Sequence, residues 1–150
     1  MPYSSARRIF YQSFARAHSA LLIRTHGRPV HMSPRLRALV LVTTGRKSGV
    51  ERKVTLLYMP DGDDFVVLAS NWGQEHPPAW WLNLEAQPEA VVEHAGRSIP
   101  VVARELRGDE RSSVLTRALD HNKQWRTYVD DTQREIPVAL LERVRVPRTG

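Results

Sequence analysis

The chain has no cysteine, which removes disulfides, thiolate metal sites, iron–sulfur clusters and cysteine nucleophiles together. It has no apolar run near the roughly 18–20 residues that span a bilayer; the densest stretch is Ala38-Leu39-Val40-Leu41-Val42. Arg7 and Arg8 lie in a polar-interrupted opening segment without the apolar core of a signal peptide, so the expected address is cytoplasmic. Walker A, G-x-G-x-x-G, G-x-S-x-G and H-E-x-x-H patterns are all missing. The histidines at 18, 26, 31, 76, 94 and 121 show no ligand spacing, so no metal site is expected. No linker, repeat or low-complexity tract divides the 150 residues. One domain over 1–150 is the expectation, with an N-terminal helical region at 1–30 and a core at 36–142.

Acidic residues are scarce in one half only. Residues 1–60 hold 11 Arg and Lys but a single acid, Glu51, whereas residues 61–150 hold 11 basic and 15 acidic residues. A half carrying +10 beside one carrying −4 points to an anionic partner for the first half. Nucleic acid, a membrane surface and a phosphorylated small molecule all meet that description.

What is present reads as a folded protein, with 41% hydrophobic and 25% charged residues. Phe10, Phe14, Ala17 and Leu21 line one stripe of a helix expected over about 4–25, a candidate for weak membrane-surface contact, and Gly27 and Pro29 end it. Strands are expected at 38–44, 51–59, 65–69, 90–93, 98–105 and 136–141, divided by the turn clusters at 45–49, 60–64 and 95–96. Pro77 and Pro78 open a short helix. Asp109 is the expected N-cap of another, and a further short helix is expected through Trp125 and Tyr128. About six strands in sequence, with helices inserted rather than alternating, give an α+β fold on a mainly antiparallel sheet that can close as a small barrel.

Two stretches carry chemistry. Across the turn Gly45-Arg46-Lys47-Ser48-Gly49, with Arg52 just beyond, cations and backbone amides can converge on one locus, which suits phosphate. The alternatives are a solvated basic turn or nucleic acid. Against nucleic acid, the cations cluster at one turn instead of forming a stripe, and no helix-turn-helix or zinc finger is present. The second stretch runs from Ala69, Ser70 and Asn71 to a proline-opened helix with Ala79, Trp80, Trp81 and Asn83. A helix N-terminus beside an indole can hold a planar, electron-poor heterocycle, while one tryptophan of the adjacent pair is expected in the core.

The order T-T-G-R-K-S-G-x-x-R from Thr43, D-G-D-D-F-V-V-L-A-S-N from Asp61, P-A-W-W-L-N-L-x-A-x-P from Pro78 and D-x-x-x-E-I-P-V from Asp131 resembles the deazaflavin-dependent nitroreductase family. The resemblance covers about residues 38–142. It implies a split β-barrel oxidoreductase using coenzyme F-420, an 8-hydroxy-5-deazaflavin with a phosphate and polyglutamate tail. It further implies hydride transfer to a conjugated or aromatic acceptor such as a quinone, enone or nitro compound. By the same resemblance, Arg46, Lys47, Ser48, Gly49 and Arg52 hold the phosphate and tail. Val54, Thr55, Leu56, Ala69, Ser70 and Asn71 run along the ring, and Ala79 and Trp80 meet its pyrimidine end. The family's Y-x-x-Y-x-x-Y positions read Asn122, Trp125 and Tyr128 here, which makes Tyr128 the candidate proton donor and the three together the acceptor wall. Asn71 stands where the nitroreductases have lysine. Related split barrels leave FMN, then haem, as alternative cofactors, and a basic nucleic-acid or membrane-binding module is the non-enzymatic alternative. Both monomer and homodimer are open.

Overall fold

A computed structural model describes residues 23–24, 37–71 and 74–145. Its elements run β1 (Ala38–Thr44), β2 (Glu51–Leu57), β3 (Met59–Asp61), β4 (Asp64–Leu68), α1 (Ala79–Ala86), β5 (Glu89–His94), β6 (Arg97–Glu105), α2 (Gly108–His121), α3 (Lys123–Asp131) and β7 (Val138–Arg143). The helix expected over 4–25, and with it the surface proposed to meet a membrane, lies outside the described residues except for Ile23 and Arg24. Ile23 packs on Val40 and Val42.

The strands form one sheet in the order β2-β1-β5-β6-β7-β4-β3, with every neighbouring pair antiparallel. The described residues hold seven strands, where the sequence suggested about six. The single strand expected at 51–59 changes partner at Tyr58. Up to Leu57 it pairs with β1; from Met59 it pairs with β4. Tyr58 N–H still donates to Arg37 O at 3.0 Å, so the switch happens within one residue. Because β2 and β3 are the two ends of the sheet order and adjoin in sequence, the sheet must curl to bring its ends together. The result is a split half-barrel of α+β class.

Burial follows from the curl. Leu39, Leu41, Phe65, Val67, Ala69, Val92, Val101 and Leu141 fill the interior, with Trp80, Trp81 and Leu84 of α1 packed among them. The alternate residues of β4 and β7, including Val66, Leu68, Val138 and Leu140, face outward into a second core roofed by Val114, Ala118 and Trp125 of α2 and α3. β1 and β4 thus have both faces covered and read as unbroken apolar runs, whereas β6 has an exposed face and alternates.

Local chemistry sets the connections. The two-residue turn Ala95-Gly96 has φ of 51° and 77°, the left-handed pair that a tight hairpin of the primed type needs. The N-cap of α2 is Arg107, which makes no side-chain cap bond, and Asp109 lies two positions too far in to act as that cap. Asp109 and Glu110 instead occupy the first turn, where their charge favours the helix dipole.

Candidate functional site

The β1–β2 turn is fastened from two sides. Within it, Gly45 N–H donates to Val50 O at 2.8 Å, Gly49 N–H to Gly45 O at 2.8 Å, and Val50 N–H to Ser48 Oγ at 3.2 Å. A Cβ on Gly45 would stand 2.7 Å from Ser48 Oγ and 3.0 Å from Val50 O, so the turn closes only around glycine there. From across the barrel, Asn83 Oδ1 accepts from Arg46 N–H at 3.2 Å and from Arg46 Nη1 at 3.1 Å, while Asn83 Nδ2 donates to Thr43 Oγ1 at 3.3 Å. Asn83 is buried, in the middle of α1. One side-chain amide therefore ties the basic turn to the helix opposite. The backbone N–H groups of Gly45, Arg46, Gly49 and Val50 are spent on this fastening.

Turn and helix enclose a cleft of about 570 Å³. Arg46, Lys47, Ser48, Arg52, Val54, Ala79 and Trp80 of the predicted set lie on its walls, joined by Thr43, Gly45, Lys53 and Asn83, which sequence reasoning did not assign. Its charges are unequally compensated. Lys53 Nζ lies 3.1 Å from buried Glu93 Oε1 and 4.0 Å from Glu51. Arg46, Lys47 and Arg52 have no carboxylate within ion-pair distance among the described residues. Among the described residues, three cations without a carboxylate partner thus stand around one cleft. Facing them are the Trp80 indole and Val54, and Pro78 opens α1 so that its first N–H groups have no intrahelical acceptor.

The other predicted residues fall into three groups. Gly49 sits in the turn at φ 69° with open space about it. Val54 and Leu56 face the barrel interior, and Thr55 pairs with Val40 on the opposite face. Ala69 and Ser70 are buried at the end of β4, and Asn71 holds φ 45° while its Nδ2 donates to His76 O at 3.0 Å. These last three form the root of the loop that leads to α1 and do not line the cleft itself. Asn122, Trp125 and Tyr128 also lie away from it. Asn122 Oδ1 caps α3 by accepting from Gln124 N–H at 3.0 Å. Trp125 is buried in the second core. Tyr128 packs against that core, half-buried, and its oxygen accepts from Gln124 Nε2 at 2.9 Å.

At the end of β5 a Tyr–His pair closes part of the interior. Tyr58 Oη and His94 Nε2 are 2.8 Å apart, both rings meet Phe65, and Arg143 stands 5.7 Å over the Phe65 ring. Burial raises the Tyr58 pKa against the pull of Arg37. Burial lowers that of His94, with help from Arg143 and Arg37. Both groups are thereby held neutral.

Comparison with known proteins bears on the coenzyme. The model of the F420H(2)-dependent quinone reductase family matches residues 14–143. An F420H(2)-dependent quinone reductase of Mycobacterium tuberculosis strain H37Rv is 32% identical over 132 residues, covering 85% of this chain and 89% of that protein. Among solved structures, an F420-H2 dependent reductase (FDR-A) is 32% identical with a TM-score of 0.66, over 76% of this chain and 100% of that one. The heme storage protein HutZ from Vibrio cholerae shares the fold alone, at 14% identity and a TM-score of 0.54 over 73% of this chain and 82% of its own. Fold similarity thus reaches proteins with different cofactors, and sequence identity separates them.

Proposed function

Because the chain belongs to the F420H(2)-dependent quinone reductase family, we propose that it reduces a quinone with coenzyme F420 held in the cleft between the β1–β2 turn and α1. The observation that carries this is the cleft's donor set: three cations with no carboxylate partner among the described residues and an apolar indole wall, fastened together by Asn83. An anionic tail on a planar ring fits that chemistry. When bound, the reduced deazaflavin supplies a hydride from its C5 carbon.

The chain's own residues then have four tasks. Arg46, Lys47 and Arg52, with Ser48 and Gly49, neutralise and orient the tail. Val54 and Trp80 exclude water from the ring, with Thr55 and Leu56 continuing β2 behind Val54. Ala69, Ser70 and Asn71 set the loop from which Ala79 and Trp80 reach the wall. The last task is proton supply, since a quinone that accepts a hydride needs one proton to become the hydroquinone. The family resemblance makes Tyr128 the candidate donor, although it stands outside the cleft lining. Gln124 Nε2 donates to its oxygen at 2.9 Å and fixes where the hydroxyl sits. Asn122 and Trp125 hold Tyr128 in place through the cap and packing of α3.

The test is a fluorescence titration of the purified chain with the oxidised coenzyme, then turnover of reduced coenzyme with a soluble quinone, read by recovery of deazaflavin absorbance. Saturable binding that weakens about tenfold or more in Arg52→Ala is expected; no saturable change in the wild type would falsify the reading. Tyr128→Phe should lower kcat about 10²-fold at unchanged coenzyme Kd. For assembly, a relative 30% identical, with a TM-score of 0.67 over 87% of this chain and 98% of its own, is a domain-swapped dimer. A homodimer is therefore the state to test by sedimentation.

A further inference from the structure

Arg134 lies between α3 and β7, outside the cleft and outside every motif position assigned above. Its backbone is steadied by Thr132 Oγ1, which accepts from Arg134 N–H at 3.4 Å. The guanidinium reaches 60–65 residues back along the chain to three carbonyls of one loop. Nε donates to Gln74 O at 2.8 Å, and Nη2 donates to Ala69 O at 2.9 Å and Ser70 O at 3.1 Å. The planar fork of arginine suits such a convergence, and a single ammonium cannot span it equally. The loop needs an external hold. Asn71 sits at φ 45°, a left-handed backbone that costs a non-glycine residue energy. Among the described residues, the loop itself holds that conformation by Asn71 Nδ2 to His76 O and by Gln74 N–H to Asn71 O at 3.1 Å. The loop's far end is the start of α1, which places Ala79 and Trp80 on the cleft wall.

We infer that Arg134 is a positioning residue for coenzyme binding: by gathering the carbonyls of Ala69, Ser70 and Gln74 it fixes the loop root from which α1 presents Trp80 to the cleft. It touches neither coenzyme nor acceptor. The inference rests on the proposed coenzyme site and extends it to a residue outside the cleft.

The experiment compares full-length wild type, Arg134→Ala and Arg134→Lys at a temperature where melting curves show each to be folded. Coenzyme Kd is read by fluorescence and acceptor KM at saturating coenzyme. Arg134→Ala should raise the coenzyme Kd about tenfold and leave the acceptor KM unchanged, with Arg134→Lys between. Millimolar guanidinium, far below denaturing concentrations, should restore part of the affinity of Arg134→Ala and leave the wild type unmoved. A role confined to stability would lower the melting temperature and leave Kd alone, so a folded Arg134→Ala with wild-type Kd overturns the inference. An affinity loss that neither lysine nor guanidinium relieves overturns it as well. Should the alanine variant not fold, the lysine variant carries the same comparison. If the wild type itself fails to bind coenzyme, the proposed function falls. The tie is then read by hydrogen exchange across residues 74–84, where unchanged protection in Arg134→Ala overturns it.

Discussion

Asn83 links two elements through one side chain, and the cost of losing it can be separated into two parts. Asn83→Leu would keep the volume but leave Thr43 Oγ1 and Arg46 without their partner. A stability loss of about 1–3 kcal/mol is expected in urea denaturation, together with weaker coenzyme binding because Arg46 is no longer aimed. Neither role was legible from the sequence. A polar residue between two leucines in a short helix reads alike whether it faces water or a turn 37 residues away. Arg134 escaped notice for the same reason, since its acceptors are carbonyls that carry no side-chain signature. The Tyr58–His94 pair carries a pH prediction. The folded chain holds the His94 pKa below its ordinary 6.5, so the unfolded chain takes up the proton first as pH falls. The stability His94 contributes is therefore full above about 6.5 and is lost as pH drops through the lower folded value. Urea midpoints measured from pH 8 to 5 should show this decline, and His94→Gln should flatten it.

At the scale of elements, the strands were easiest to read where both faces are covered. β1 came out with its expected limits because an unbroken apolar, β-branched run flanked by a glycine turn admits little else. The expected strand over 51–59 failed at Tyr58 because a change of pairing partner leaves no mark in composition or period. α2 was found, but its cap was misplaced: nothing local distinguishes an aspartate that caps from one in the first turn. The β5–β6 hairpin offers a test of turn chemistry. Ala95 holds φ 51°, a conformation asparagine tolerates better than alanine. Ala95→Asn should raise stability by about 0.5–1 kcal/mol, measured as a shift in urea midpoint with an unchanged slope. Gly45→Ala should do the reverse to the β1–β2 turn, with coenzyme affinity falling alongside stability.

For the whole molecule, part of the positive charge of residues 1–60 gathers at one place. Lys53 is balanced by Glu93, while Arg46, Lys47 and Arg52 stand around one cleft. The basic wall of the cleft was legible because its cations and glycines sit close together in sequence. The α1 wall was legible too, from the prolines that open it; the Asn83 tie between turn and helix was not. Coenzyme affinity should fall several-fold as ionic strength rises from about 0.05 to 0.5 M, because screening acts on exposed cations. Arg52→Ala should show a shallower salt dependence than the wild type in the same titration.

The sheet has two ends, β2 and β3. β3 is three residues long with Pro60 at its centre, and β2 begins with the exposed charges Glu51, Arg52 and Lys53. Short length, proline and charge are the devices by which an edge strand resists adding a foreign strand. Arg52 thus guards against aggregation as well as lining the cleft. Variants that remove it should scatter more light on standing, and their losses of binding are best read on freshly filtered protein.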